Sequence, residues 1–458
     1  MSELEGHRDG LQSELDRLVR RHAVPGAVVA MAVGDETITA AAGVANAGTG
    51  IETTDDTIFQ LGSISKLFTT TLIAQLVDAG LVALDDPVRA LLHEFRVADD
   101  TATLSITPRH LLSHTSGIEG DHFIDCGRNP DALWRYVSTL EDVGLVHPTD
   151  DLYSYCNAGF GVLGRLVEES TGDHFARALR KRLLKPLGLE MTMVLTEHAI
   201  THRVAAGHRQ TLGEPAEVRG WTLGRFNTPM GGVLSTAPDL VEFARLHLRH
   251  GKTGGGKQLL GARIIADLQI PQVEQYDDAE RGLGWVLEDW NGTKVIGHDG
   301  DTVGQRGFLR LFPDHDAAIA VLTNSPLGDL VALPVLASLA EQVLDVRAPD
   351  PPSVDDTLEV DPSRYTGIYE RMHQRLAVAG SSDNGLEMTI IPDELFRSAG
   401  ISEATLVLEP SRHDRFVTTS AVTGLPVLIG FVDPDEDEDG DSQPPYLMYG
   451  GRAHRRIS

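Results

Sequence analysis

The strand-forming segments of the first 346 residues lie at the two ends of that stretch, and a long helical region separates them. Residues 27–33 and 37–44 are typical of two strands joined by a short turn at Gly34. From about residue 63 to residue 273 the apolar spacing is helical and is interrupted by glycine- and proline-containing loops. Strand patterns then return in four segments, at 282–290, 293–300, 307–312 and 317–324. This pattern predicts an antiparallel sheet with an inserted helical subdomain, an α/β fold.

Two amphipathic helices are predicted at the ends of the same stretch. The first has an apolar face formed by Leu11, Leu15, Leu18 and Val19, and the second spans residues 330–346. Because each helix has one apolar face, we expect both to pack on the sheet.

The last hundred residues have the pattern of a separate all-β domain. Residues 347–362 are rich in proline and aspartate and have little to bury, so they predict a linker between a first domain (1–346) and a second (363–458). Short alternating runs in the second domain predict a small β barrel or sandwich. The acidic tract 433–441 fits no EF-hand spacing and is interpreted as a solvated hairpin loop rather than a calcium site.

Composition limits the function classes. Basic residues number 39 against 67 acidic ones, for a net charge of −28, so we expect neither nucleic acid nor a membrane surface as a partner. Cys126 and Cys156 are too few for a disulfide framework or a thiolate zinc site. The N-terminal residues do not resemble an export signal, and no segment approaches the ~18 apolar residues of a membrane span. These features predict a soluble, cytoplasmic protein.

Ser63 and Lys66 are the first candidates for catalytic chemistry. They stand three residues apart at the start of an apolar helix, so one turn places both side chains on the same face. A serine hydroxyl needs a base to become a nucleophile, and a lysine can be that base once burial lowers its pKa. The alternative is a surface serine and lysine on an ordinary helix. This is, however, the only Ser-x-x-Lys in a chain with few lysines.

Two further motifs fit the same chemistry. Tyr155 and Asn157 stand two residues apart just before a helix, where a tyrosine can relay a proton and an asparagine can donate to a substrate amide or to the lysine. His298 ends a predicted strand, and Gly300 lets a ligand backbone approach the edge of that strand. The alternatives are a half-buried loop tyrosine and a turn histidine.

The order of the three motifs, Ser-x-x-Lys, Tyr-x-Asn and His-x-Gly on a helix, a loop and a strand, resembles the serine β-lactamase and penicillin-binding-protein superfamily. Three further segments are similar to that superfamily: residues 106–118, residues 229–240 and the RGLGW sequence at 281–285. The resemblance covers roughly residues 10 to 345. It implies an antiparallel sheet with terminal helices and an inserted helical subdomain.

The resemblance also implies a role for each motif residue. Ser63 would be the acylated nucleophile, Lys66 its base and Tyr155 the proton relay. Asn157 would donate to a substrate amide, and His298 would occupy the position of the third motif. Gly300 would lie at the substrate edge of the strand.

The resemblance also implies an oxyanion hole, and the chain departs from the usual motifs of the superfamily at two positions. The oxyanion hole would consist of the backbone N–H groups of Ser63 and Asp301. A histidine at 298 replaces the lysine of many β-lactamases, which argues against efficient recognition of a β-lactam carboxylate. Cys156 replaces the usual serine and is interpreted as a packing residue.

His110 and His114 are four apart, which suggests a metal pair by spacing alone. No third ligand accompanies them, and the resemblance implies a structural turn. We therefore expect no metal and no cofactor.

Among the cytoplasmic relatives of this superfamily, the chain resembles the stand-alone penicillin-binding-protein-type thioesterases. These enzymes carry a C-terminal lipocalin-like barrel, and they release nonribosomal peptides from a carrier protein by head-to-tail cyclisation at a D-configured residue. Segments 365–370 and 449–456 are similar to the first and last strands of that barrel. A basic residue near the C-terminus binds the peptide in that family, and Arg452 is the candidate here. The alternative is that Arg452 only caps a strand.

This resemblance implies a peptidyl thioester or peptide as substrate and a carrier-protein domain of a peptide synthetase as partner. Two other functions stay open. One is a carboxylesterase or D-amino-acid peptidase of the same superfamily. The other is a non-catalytic ligand sensor, against which the intact Ser63, Lys66 and Tyr155 argue.

Overall fold

The strands predicted at the two ends of the first 346 residues join in one sheet. The computed structural model describes residues 4–211, 214–220, 223–381, 385–398, 401–434 and 443–458. The strands before the C-terminal domain are β1 (Gly26–Val33), β2 (Glu36–Asn46), β3 (Ile51–Glu52), β4 (Phe59–Gln60), β5 (His208–Thr211), β6 (Glu214–Glu217), β7 (Leu234–Ser235), β8 (Val273–Glu274), β9 (Glu280–Arg281), β10 (Val286–Trp290), β11 (Thr293–Thr302), β12 (Gln305–Phe312) and β13 (Ala317–Thr323).

Strand β1 joins the early and late parts of the sheet. It pairs antiparallel with its hairpin partner β2 on one side and with β13, almost 300 residues later, on the other. Within the described residues, the strand order is β3-β2-β1-β13-β12-β11-β10-β9-β8. The predicted antiparallel sheet, which the chain leaves and rejoins, is therefore confirmed.

Helices of the same part of the chain cover both faces of this sheet, some directly and others through neighbouring helices. They are α1 (Arg8–Arg21), α2 (Ser65–Asp78), α3 (Val88–Leu91), α4 (Asp100–Ser105), α5 (Pro108–Ser113), α6 (Ala132–Ser138), α7 (Asn157–Thr171), α8 (Phe175–Leu179), α9 (Lys185–Leu187), α10 (Thr196–Ala199), α11 (Thr228–Gly231), α12 (Ala237–Leu248), α13 (Ala262–Leu268) and α14 (Asp329–Leu344).

Alternate residues of β1 face two different cores, because successive side chains of a strand point to opposite faces. Val29 and Met31 pack in the cluster that contains Leu15 of α1 and Val335 of α14, so the two terminal helices cover one face as predicted. Val28, on the other face, belongs to the larger core built by the inserted helices. With both faces covered, β1 is a continuous apolar strand.

Helix α2 forms the centre of the inserted helical part. Its residues from Ser65 to Ala74 are all buried, including the polar ones. A helix that is buried on all of its sides lies inside a core rather than on a surface. This position holds α2 against α7, and the 3₁₀ turn that precedes α2, Gly62–Ile64, against β11, where the candidate site forms.

The C-terminal domain is a closed β barrel, as the resemblance implied. A short helix, α15 (Pro362–Tyr365), precedes it, and α16 (Glu394–Ser398) follows its third strand. Residues 345–361 form neither helix nor strand. Most of the acidic tract, residues 435–441, lies outside the described residues. The barrel strands are β14 (Gly367–Arg371), β15 (Gln374–Gly380), β16 (Leu386–Pro392), β17 (Ala404–Arg412), β18 (Arg415–Thr419), β19 (Pro426–Val432), β20 (Tyr446–Tyr449) and β21 (Arg452–Arg456).

The barrel packs on the segment that carries the Tyr-x-Asn motif. The backbone N–H of Tyr155 donates to the carbonyl of Gly451 over 2.9 Å, and the backbone N–H of Ala453 donates to the Ser154 hydroxyl over 3.1 Å. An apolar cluster that includes Tyr153, Tyr276, Tyr446 and Met448 closes the same interface. The β20–β21 turn is thus fixed beside Tyr155.

Across the described ranges, no helix is both long and apolar enough to cross a lipid bilayer.

Candidate active site

Ser63 and Lys66 are brought together by a change of helix type. Ser63 lies in a short 3₁₀ turn, Gly62–Ile64, which leads directly into α2. The Lys66 side-chain nitrogen lies 3.0 Å from the Ser63 hydroxyl oxygen. Ser63 is half-buried, whereas Lys66 has no exposed surface. The arrangement therefore places a buried amine behind a serine that substrate can reach.

Three oxygen atoms surround the Lys66 nitrogen. Besides the Ser63 hydroxyl, it contacts the Asn157 side-chain oxygen and the Met230 carbonyl, each at 2.7 Å. The last two can only accept hydrogen bonds. A neutral amine has two N–H bonds and one lone pair, so with both N–H groups donated to these acceptors the lone pair points at the Ser63 hydroxyl. This geometry orients Lys66 as a base for Ser63.

Burial also favours the neutral form of Lys66. Burial lowers the pKa of Lys66 well below its ordinary value, and the positive charge of Arg452 lowers it further, while Asp121 acts in the opposite direction. The amine can therefore accept a proton at a pH at which an exposed lysine is already charged.

Tyr155 lies next to both of these groups. Its ring is 4.8 Å from the Lys66 nitrogen and stacks on the His114 ring at 4.4 Å between centroids. Burial raises the pKa of Tyr155, and its hydrogen bond with Ser63 offsets only part of that shift. The phenol is therefore protonated at neutral pH. It can give its proton to a leaving group that departs from an acyl carbon beside Ser63.

His298 lies in β11 and is held as a neutral ring. Its Nδ1 is 2.6 Å from the Asp299 carbonyl, which can only accept, so Nδ1 carries the proton and Nε2 is an acceptor. Burial and the charge of Arg281 lower the pKa of His298 to about 3. An acceptor at this position does not replace the charged donor of a lysine, and poor recognition of β-lactam carboxylates stays a prediction.

Strand β11 lies against the Ser63 turn at very short range. A Cβ atom on Gly300 would fall 1.8 Å from the Leu61 carbonyl oxygen and 3.2 Å from the Ser63 backbone nitrogen. Gly62 has a positive φ of 52°, and a Cβ there would fall 2.6 Å from the Asp301 backbone nitrogen. The two N–H groups predicted for the oxyanion hole therefore lie on two segments in direct contact. A glycine is required at position 300 because the Leu61 carbonyl lies so close to it. The sequence predicted a different reason, the approach of a ligand backbone to the strand edge.

We expect Gly300→Ala to destabilise the fold by about 1–3 kcal/mol, because β11 must move away from the Ser63 turn. The same shift separates the two backbone N–H groups, so acylation of Ser63 should slow. Thermal unfolding and the rate of labelling by a fluorophosphonate measure the two effects. Gly10→Ala is the matched control, since Gly10 lies inside α1 with open space around it and alanine is the better helix former. An unchanged unfolding temperature for Gly300→Ala would contradict the close approach.

Comparison with known proteins assigns the family. The Beta-lactamase family model matches residues 11–341 of the chain. The protein belongs to the β-lactamase family. As a β-lactamase-family member it is a serine hydrolase of the type that also includes penicillin-binding proteins.

Individual relatives match more of the chain than the family model does. Penicillin-binding protein 4 of Amycolatopsis lactamdurans is 41% identical over 373 residues, which cover 79% of this chain and 97% of that protein. The crystal structures of SurE and of SurE with D-Leu match 99% of this chain and all of their own, with TM-scores of 0.81 and 0.77 and identities of 28% and 27%. The predicted superfamily, with its likeness to stand-alone thioesterases, is confirmed.

Sequence reasoning missed one member of the site in this β-lactamase-family protein, the buried carboxylate of Asp121. Asn157 donates from its side-chain nitrogen to Asp121 over 2.8 Å. Two barrel arginines reach the same carboxylate: Arg371 over 2.9 Å and Arg452 over 2.7 and 3.1 Å. Burial alone would raise the pKa of Asp121, but the two arginines overcome that effect and hold its pKa well below the ordinary value.

Arg452, the predicted peptide-binding residue, lies at the site but already has partners. Besides the two bonds to Asp121, it donates to the Gly450 carbonyl over 2.9 Å, and its guanidinium lies 5.1 Å from the Tyr155 ring centre. Arg452 thus lies beside Tyr155 at the candidate site, and its role in peptide binding stays a prediction. Its hydrogen bonds, however, tie the barrel to Asp121, which the sequence did not indicate.

Two other features of the sequence have structural roles. His110 accepts from Thr107 in a helix-capping box, and His114 ends α5 in the left-handed conformation. In the part of the chain that the structure describes, no group of three or more metal-ligating side chains is close enough to hold an ion. The Cys156 sulfur accepts from the Gly159 backbone N–H and caps α7, so its role is capping as well as packing.

Proposed function

We propose that this protein is a penicillin-binding-protein-type thioesterase that releases a nonribosomal peptide as a head-to-tail lactam. The substrate is a peptidyl thioester with a D-residue at its acyl end, delivered by a carrier-protein domain. The observation that carries the proposal is the Ser63–Lys66 pair, with the Lys66 lone pair directed at the serine, beneath a barrel fixed to the Tyr155 segment. A SurE structure was solved with D-Leu, which supports recognition of a D-residue.

Acylation follows from the geometry of the site. Lys66 takes the Ser63 proton as the hydroxyl oxygen attacks the thioester carbonyl, and the backbone N–H groups of Ser63 and Asp301 stabilise the oxyanion. The carbon–sulfur bond then breaks, and Tyr155 gives its proton to the departing sulfur. Lys66 returns its proton to Tyr155, which leaves an acyl-enzyme and a neutral base.

Release repeats these steps in reverse with a different nucleophile. The N-terminal amine of the bound peptide attacks the acyl carbon and loses a proton to the Tyr155–Lys66 pair. The bond from the acyl carbon to the Ser63 oxygen then breaks, and that oxygen takes the proton from Lys66, which gives the lactam and the free serine. An amine held near the ester can have an effective molarity of about 10⁵ M or more, so it can outcompete water. The packing of the β20–β21 turn on Tyr155 limits the access of water on that side.

A peptidyl N-acetylcysteamine thioester tests this function. With a free amine and a D-residue at the acyl end, we expect mostly cyclic product by liquid chromatography and mass spectrometry. We also expect slower turnover with the L-residue. The control is the same peptide with its amine acetylated, which can only be hydrolysed. Equal rates for both configurations, with only linear acid formed, would favour the carboxylesterase or D-peptidase alternative.

A further inference from the structure

The carboxylate of Asp121 connects the barrel to the proposed base through one side chain. Asn157 has its oxygen on Lys66 and its nitrogen on Asp121. The two ends of an amide are chemically different, since the oxygen only accepts and the nitrogen only donates. An acceptor on the far side of Asn157 therefore decides which end faces the lysine.

The opposite orientation of Asn157 would disable the base. Its side-chain nitrogen would then donate to the lone pair of a neutral Lys66, which would no longer be available to the Ser63 proton. A buried carboxylate excludes this orientation, because the Asn157 oxygen would face the negative charge of Asp121. The hydrogen bond from Asn157 to Asp121 thus keeps the lone pair directed at Ser63.

The position of Asp121 is fixed from both domains. Its neighbour Gly120 accepts from the Ala158 backbone N–H over 2.9 Å, and a Cβ on Gly120 would fall 2.6 Å from the Cys156 Cα, so the loop lies directly on the start of α7. From the barrel, Arg371 on β14 and Arg452 on β21 hold the carboxylate, which is only 3% exposed. A buried carboxylate needs such partners to stay ionised.

We propose that Asp121 is a positioning residue for the Ser63–Lys66 pair, and that Arg371 and Arg452 of the barrel hold it together, so that acylation depends on barrel docking. This inference rests on the proposed acyl-enzyme function, but not on cyclisation. Arg371 is the informative position, because its side chain contacts Asp121, the Met372 carbonyl and His454 and is separate from the Tyr155 ring contact made by Arg452.

The test measures the rate constant and the final stoichiometry of Ser63 labelling by a fluorophosphonate, using the full chain and intact-protein mass. We expect Asp121→Asn to slow labelling about 100-fold and Arg371→Gln about 10-fold, each with one label per chain at the end, as a misplaced catalytic group does. Arg371→Lys, which keeps the charge, should restore most of the rate. Because Arg452 still neutralises Asp121 in the Arg371 variants, these keep a paired carboxylate and should fold.

Arg412→Gln is the matched control. Arg412 is a barrel arginine that also pairs with the first domain, 2.6 Å from Asp278, but on an exposed surface away from Asp121. The fluorophosphonate should label Ser63 of the Arg412→Gln variant at the same rate as in the unaltered protein. Rate constants for Asp121→Asn and Arg371→Gln equal to that of the unaltered protein would overturn the proposal. So would fewer labelled chains at an unaltered rate constant, since that pattern means partial unfolding. If the unaltered protein shows no Ser63 label, the acyl-enzyme function itself fails instead.

Discussion

Replacing Ser63 with alanine is expected to abolish acylation and turnover and to leave the fold intact. The substitution removes the oxygen that attacks the substrate and that faces the Lys66 lone pair. Loss of a serine nucleophile costs on the order of 10⁶ in kcat, because the remaining groups have no substitute acceptor for the acyl group. Ser63 is half-buried in a 3₁₀ turn, where alanine fits without strain. Intact-protein mass after fluorophosphonate treatment and thioester turnover measure the loss.

Ser65→Ala is the control for this variant. Ser65 lies two residues further along and is buried, and its hydroxyl accepts from the Val233 backbone N–H over 2.9 Å. Its loss should lower the free energy of unfolding by about 1–3 kcal/mol, since a buried donor loses its partner, yet labelling of Ser63 should persist. A mass adduct that appears on the Ser63→Ala protein at the original rate would remove Ser63 from the nucleophile role.

Parts of the fold could be predicted from local patterns, because each helix or strand concerned keeps a single spacing of apolar residues along its length. The apolar face of α1 was visible as Leu11, Leu15 and Leu18, and these residues are buried against the sheet. Alternating or continuous runs of apolar residues predicted the strands around His298. The closed barrel was visible only as several short strands, and its family resemblance supplied the closure.

The candidate site was predictable where its residues stand close in the sequence, and not elsewhere. Ser63 and Lys66 share one helical turn, so their spacing already implied contact. Asp121 and Arg371 are 250 residues apart, and no local pattern relates them. The need for glycine at 300 likewise arises from the Leu61 carbonyl, which only tertiary packing brings near. Long-range electrostatic partners of a site are therefore the part that a single sequence does not reveal.

Lys66→Ala and Tyr155→Phe are each expected to lower kcat by about 10²–10⁴-fold, since each removes one half of a proton relay. Only the neutral amine accepts the Ser63 proton, so the rate should rise with pH through the lowered pKa of Lys66. Lys66→Ala should lose this acid limb, whereas Tyr155→Phe should keep it, because the phenol is a donor whose raised pKa lies far above that range. Stopped-flow acylation by an activated ester across pH measures both effects.

The double variant decides whether the two residues act as one unit. The lysine nitrogen lies 4.8 Å from the Tyr155 ring, and both residues contact Ser63, so a proton that leaves the serine passes from one to the other. Once either is gone, the relay is broken, and removing the second should cost little more. The combined loss should therefore be much smaller than the product of the two single losses. A fully multiplicative loss would mean that the residues act independently and that one of them contributes through packing alone.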